Sequence, residues 1–209
     1  MDNLNSTRQS NENETPDLND ILGYLHDTEC DKDIVTNSPY FSISDIDNIP
    51  LKDGSKFNIL SVNIQSLNAK FESLVSFLSL LQDNAIHFSA ICLQETWQSN
   101  DQDCQSKFSI PGYTLITKGK SCSEHGGLAI YLDTEYTFTK RDFNCNSPIW
   151  ESLFIEVRSP CLSRPLTLGT IYRPPKFNNC NSTIDQFINE LRPVICLLEK
   201  EKKYSGTVR

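Results

Sequence analysis

FNILSVNIQSLNAKFESLVSFLSLLQDNAIHFSAICLQE, residues 57–95, reads as strand, helix, strand, with a polar group at the end of each strand. Phe57 to Asn63 is an apolar β run that ends in an amide side chain. Ser66 is placed to cap a helix running to about Gln82, because a serine hydroxyl accepts from the unpaired N–H groups of a first turn. Leu67, Phe71, Leu74, Leu78 and Leu81 recur at three and four residues and so share one face. Asp83-Asn84 ends that helix. Phe88 to Leu93 is almost wholly apolar, the pattern of a strand covered on both faces. Its continuation, Gln94-Glu95-Thr96-Trp97, delivers a carboxylate. Two neighbouring strand ends carrying Asn63 and Glu95 offer a place to hold a divalent metal and a phosphate.

Downstream the pattern changes to short strands without helices. A polar loop over residues 98–110 closes on Pro111-Gly112, a turn signal. Strands are predicted over Tyr113 to Thr117, Leu128 to Leu132, Ile149 to Val157 and Leu166 to Tyr172. Gly126-Gly127 opens the second of these, and Pro174-Pro175 forces the chain out of the sheet after the last. A β meander after a β-α-β start indicates a mixed α/β (α+β) chain with a mixed sheet, not a Rossmann layout. No G-x-G-x-x-G or P-loop is present. Thr183 or Ser182 is predicted to cap a second helix that ends near Lys202. It would carry Ile184, Phe187, Ile188, Leu191 and Ile195 on one face, with Pro193 as an awkward interior residue expected to kink it.

Charge divides the chain. Residues 1–56 hold 12 Asp/Glu against 4 Lys/Arg, a net of -8, whereas residues 57–209 hold 15 against 15. Residues 1–38 read as an acidic, mostly disordered tail. Within it Leu18, Ile21, Leu22 and Leu25 follow Pro16-Asp17 at helical spacing, either a transient solvated helix or an adaptor segment for a protein partner. Residues 39–56 are a more apolar lead-in, residues 57–204 the domain, and residues 205–209 a separate end. A neutral body without a basic block gives no broad electrostatic footprint for nucleic acid, although a cleft that grips one phosphodiester needs none. The eight cysteines include no C-x-x-C pair, which argues against a zinc module. The polar, acidic N-terminus lacks a signal-peptide pattern, so reduced thiols and an intracellular, non-secreted location are expected. No apolar run approaches a membrane span, so no membrane partner is expected.

Six motifs in order now bear on function: Leu60-Ser61-Val62-Asn63-Ile64-Gln65-Ser66-Leu67; Ile91-Cys92-Leu93-Gln94-Glu95-Thr96-Trp97; Ile110-Pro111-Gly112-Tyr113; Gly126-Gly127-Leu128-Ala129-Ile130-Tyr131; Trp150-Glu151-Ser152-Leu153; and Gly169-Thr170-Ile171-Tyr172-Arg173-Pro174-Pro175. Together they resemble the endonuclease/exonuclease/phosphatase superfamily, and within it the apurinic-type endonuclease domain of non-LTR retrotransposons. The resemblance spans about residues 39–204. It implies a four-layer α/β sandwich, here incomplete, with a site at one rim of two sheets. It also implies Mg²⁺-dependent hydrolysis of DNA phosphodiester bonds, and a reverse transcriptase domain on the same chain in such proteins. By this resemblance Asn63 would orient metal and phosphate, Glu95 would ligate Mg²⁺, and Tyr172 would hydrogen-bond the scissile phosphate. Gln94 would support Glu95 from behind, and Arg173 would contact nucleic acid.

The sequence departs from the family after Tyr172. The family's Gly-Asp-Phe-Asn strand end and its Ser-Asp-His terminus have no counterpart in these 209 residues. Gln65 stands where some repair relatives carry an acid. His26, His87 and His125 all precede Tyr172 and match no catalytic position of the family. The expectation is a truncated endonuclease domain with little or no activity, because the water-activating Asp and the charge-stabilising His are each worth ~10²-fold or more. The alternative is a non-catalytic mobile-element remnant or interaction scaffold.

Overall fold

A computed structural model describes residues 56–99, 106–120, 125–143, 147, 149–160, 162–174 and 184–204. The acidic tail, the lead-in segment, the cap of the second helix and residues 205–209 lie outside the described residues. Among the described residues the strands and longer helices follow in chain order as β1 (Ile59–Asn63), α1 (Leu67–Asp83), β2 (Ala90–Gln94), β3 (Tyr113–Lys118), β4 (Leu128–Asp133), β5 (Thr137–Arg141), β6 (Glu151–Arg158), β7 (Leu166–Tyr172) and α2 (Ile184–Tyr204). They form a mixed α/β arrangement of two sheets, ordered β1-β2-β4-β3 and β5-β6-β7. The first sheet is mixed, with β1 parallel to β2 and β4 antiparallel to both β2 and β3. The second is antiparallel throughout.

Alternation along the strands gives each sheet two working faces. Ile91 and Leu93 of β2, with Ala129 and Tyr131 of β4, pack against Leu67, Leu74 and Leu81 of α1. Ala90, Cys92, Ile130 and Leu132 point the other way and meet Leu153, Ile155, Val157 and Leu168 of the second sheet. The outer face of that sheet, through Trp150 and Phe154, packs with Phe187, Leu191, Val194 and Leu198 of α2. Cys92 is a free, buried thiol, pushed up to about 11 by burial, and behaves as a small apolar core residue. Tyr131, fully buried, has its hydroxyl satisfied by donation to the Phe108 carbonyl at 2.7 Å.

Helix α1 follows its sequence signals closely. Ser66 is the N-cap, accepting from Ala69 N through its side chain. At the other end Ile86 N donates to Leu81 O, and Ala85 N to Gln82 O, a Schellman closure with Ala85 in the left-handed region. Leu81 and Ile86, both buried, supply the apolar contact that accompanies that motif.

Three readings needed correction. Thr137–Arg141 is an additional strand, unpredicted because its only large apolar residue is Phe138 and its exposure pattern is that of a sheet edge. Helix α2, which keeps Pro193 inside it as expected, turns Phe187, Leu191, Val194 and Leu198 inward. Ile184, Ile188 and Ile195, expected on the packed face, are exposed. β1 is also less covered than an apolar strand suggests, with Ile59 exposed. Among the described residues, no helix is long and apolar enough to cross a membrane.

Candidate functional site

Strand directions bring several chain segments to one rim. The carboxyl ends of β1, β2 and β3 lie there with the amino end of β4, and in the second sheet the carboxyl end of β7 pairs with the amino end of β6. Two side-chain links join the sheets just below this rim. Gln94 Nε2 donates to Thr170 Oγ1 at 2.6 Å and to Ser61 Oγ at 3.2 Å. Lys118 Nζ donates to the Ser152 carbonyl at 2.9 Å. Gln94 therefore bridges the two sheets; its amide does not reach back to Glu95, the role the resemblance implied.

Asn63 is the β1 register partner of Gln94, and Glu95 lies one residue beyond it. Asn63 Nδ2 donates to Glu95 Oε1 at 2.8 Å, so the two side chains predicted from separate strands do meet. The amide N–H fixes the carboxylate and leaves Asn63 Oδ1 as an acceptor. The backbone around them is tied down on both sides. Ile64 N, Ser66 N and Leu67 N donate to the carbonyls of Gln94, Glu95 and Thr96. Two amides at the start of α1 are thereby used internally, and that helix end is not an open anion site. On the far side, Thr96 N donates to Gly127 O and Trp97 N to Gly126 O.

These ties hold an unusual backbone. Gln65, Ser66, Glu95 and Trp97 have φ of 45°, 84°, 53° and 57°. Among the described residues the only other left-handed residue that is not glycine is Ala85, in the helix closure already described. Each such residue costs roughly 1–2 kcal/mol, which the surrounding hydrogen bonds must offset.

Glu151 is the residue that sequence reasoning missed. At the amino end of β6 it is only 3% exposed, and its Oε2 accepts from Gly127 N at 2.6 Å. A Cβ on Gly126 would lie 2.7 Å from Glu151 Oε1, and one on Gly127 would lie 2.6 Å from Thr96 Oγ1. The glycine pair thus lets a buried carboxylate and the 95–97 loop close on the same backbone. Trp150-Glu151-Ser152-Leu153 was visible as a motif, but its carboxylate gave no sign that it would be buried.

Tyr172 lies on the face of β7 turned to the first sheet, buried in the core shared by the sheets, with Glu151 as its cross-strand partner. Arg173, one residue on, takes the opposite face, its guanidinium 6.0 Å over the ring of Phe187 on α2. The structure thus brings Asn63 and Glu95 into contact, sets Tyr172 on the facing sheet at the same rim, and aims Arg173 at the helix. Among the described residues no group of three or more His, Cys, Asp or Glu side chains could hold a metal ion. The rim carries the Glu95 carboxylate held by Asn63, the Asn63 amide oxygen and, on the facing sheet, Tyr172.

No protein-family model matches the chain, and no curated protein matches it. Among the solved structures that match is an AP endonuclease from Archaeoglobus fulgidus, 19% identical, with a TM-score of 0.43. That match covers 74% of this chain and 53% of the other, so the chain spans about half the length of that structure. At that identity and score the likeness says nothing about chemistry.

Proposed function

We propose that the described domain is the first part of an endonuclease/exonuclease/phosphatase-type nuclease, of the retrotransposon apurinic-type branch, whose rim grips a DNA phosphodiester. On this reading the α1, sheet, sheet, α2 order is the family's four-layer sandwich. The observation that carries it is the 2.8 Å bond from Asn63 to Glu95, which joins two motifs 32 residues apart at the rim that Tyr172 also reaches.

The donor set fits Mg²⁺ in a limited way. Mg²⁺ demands oxygen ligands but keeps most of its waters, taking one or two carboxylates and completing its shell with substrate phosphate. Glu95 and the amide oxygen of Asn63 would hold it. Once bound it would supply positive charge against the phosphate. Asn63 holds the Glu95 carboxylate in one orientation, and Tyr172 would donate its hydroxyl to a phosphate oxygen. These 209 residues offer no counterpart to the family's water-activating Asp or terminal His, so the chain by itself is expected to hydrolyse DNA little if at all.

Relaxation of supercoiled plasmid by the purified chain in Mg²⁺, beside Glu95→Ala, tests the activity. Equal, background-level nicking by both is expected; nicking that only Glu95→Ala loses would show a working enzyme. The family assignment is tested separately by the reading frame downstream. Codons for Gly-Asp-Phe-Asn and Ser-Asp-His in any frame support it, and their absence over the next domain length counts against it.

A further inference from the structure

We infer that Trp97, backed by His125, is a stacking platform for an unpaired nucleobase beside the phosphate held at Asn63 and Glu95. This rests on the nuclease-type reading for the neighbouring phosphate. Of the large apolar side chains exposed among the described residues, Trp97 is the one aromatic, at 36% exposure. It stands two residues beyond Glu95, on the same tied loop, in the left-handed region. Trp97 N donates to Gly126 O at 2.9 Å, and the adjoining Gly127 is pinned by buried Glu151. The fold therefore holds strain in order to present an indole to solvent rather than bury it, and backbone strain of this kind collects at ligand sites.

The surroundings favour a base over a protein. The imidazole of His125 lies 5.7 Å from the indole, centroid to centroid, at 57°, so it braces the ring without covering it face to face. The loop neighbours are polar: Gln98, Ser99, His125 and Lys120, the last tied in by donation from its backbone N to Gln98 O. Every base has a π face that an indole can stack on regardless of sequence, but within a duplex those faces are already taken.

The chain has two tryptophans, and Trp150 is buried with its Nε1 donating to Glu190, so emission changes on ligand binding report Trp97. The probes are single-stranded oligothymidylate of about 12 nucleotides and a blunt duplex of equal length, each titrated into wild type, Trp97→Phe and Trp97→Ala, with anisotropy of a labelled strand measured in parallel. The single strand should quench wild-type emission to saturation and leave Trp97→Phe emission unchanged. Trp97→Ala should bind on the order of tenfold more weakly, with Trp97→Phe near wild type. Single-strand binding without quenching, or equal affinity in Trp97→Ala, would remove the platform while leaving the nuclease reading intact. Quenching by the duplex as strong as by the single strand would overturn the requirement for an unpaired base. Failure of either nucleic acid to bind any of the proteins would remove the nuclease reading and the platform together.

Discussion

The two ends of the first sheet use polar residues in opposite ways. At the end away from Glu95, His87 Nε2 meets Asp133 Oδ2 at 2.5 Å, and Asp133 Oδ1 accepts from Glu135 N at 2.8 Å. Tyr113 donates its hydroxyl to Phe88 O and stacks on His87, and burial pushes its phenol up to about 12. Each of these polar groups stabilises a turn or strand end. At the Glu95 end the carboxylate takes one exposed amide, while the buried acid, Glu151, accepts from the backbone N–H of Gly127. The strained residues that are not glycine, Ala85 apart, also gather at the Glu95 end. One end uses its polar groups to stay folded; the other uses the fold to keep polar groups in reach. On the proposed reading, that asymmetry belongs to a site at the Glu95 end.

The sharpest way to break this contrast is at the glycines. Gly126→Ala puts a methyl against the buried Glu151 carboxylate at φ of +95°. A loss of roughly 3 kcal/mol is expected, from overpacking and left-handed strain together. Gly112 has a similar φ of +83° but nothing within 4 Å, so Gly112→Ala should cost only about 1–2 kcal/mol. Urea unfolding midpoints compare the two, and equal losses would mean that the Glu151 contact holds nothing.

A smaller effect separates the two acids. Asp133→Ala strands a partnered, mostly buried site and should lower stability by about 1–2 kcal/mol. Glu95→Ala should stay within roughly 0.5 kcal/mol of wild type, because its one side-chain bond is exposed. If Glu95→Ala proves as destabilising as Asp133→Ala, Glu95 is structural and the contrast between the ends fails.

The smallest expected effect lies outside both ends and serves as a control. Glu156 accepts from Arg158 and Arg141 on the second sheet. Those bonds, the one from Arg158 first, hold its carboxyl below the usual range. A folded value below the unfolded one means a contribution fully present above the ordinary glutamate range and lost as pH falls through the lowered value. Unfolding midpoints taken from about pH 6 to about pH 3 should show a steeper acid loss for wild type than for Glu156→Gln. Parallel curves would show that the arginines contribute nothing measurable.

Much of this architecture was legible in local pattern. The leucine spacing of α1, the Ser66 cap and the apolar runs of β2, β4, β6 and β7 each depend on neighbours within a turn or a strand, which the chain spells out. The failures share a cause. Thr137–Arg141 is an edge strand whose pairing with β6, not its own composition, makes it regular. Helix α2 carries apolar residues on more than one face, so its period could not say which face the second sheet would take.

The site divides in the same way. Asn63, Glu95 and Tyr172 could be picked out as polar groups at strand ends, because an apolar run that stops on a polar residue is a property of the chain itself. Their arrangement was decided in three dimensions. Gln94 spans 76 residues of sequence to reach Thr170, and Glu151 spans 24 to reach Gly127. Both depend on how two sheets stack. Sequence by itself determined which residues stand at the ends of strands, because period and turn chemistry are local. Only the tertiary structure decided which of those ends share a rim, and that a buried carboxylate would hold the loop carrying Glu95, because desolvation and cross-sheet hydrogen bonds exist only once the sheets have met.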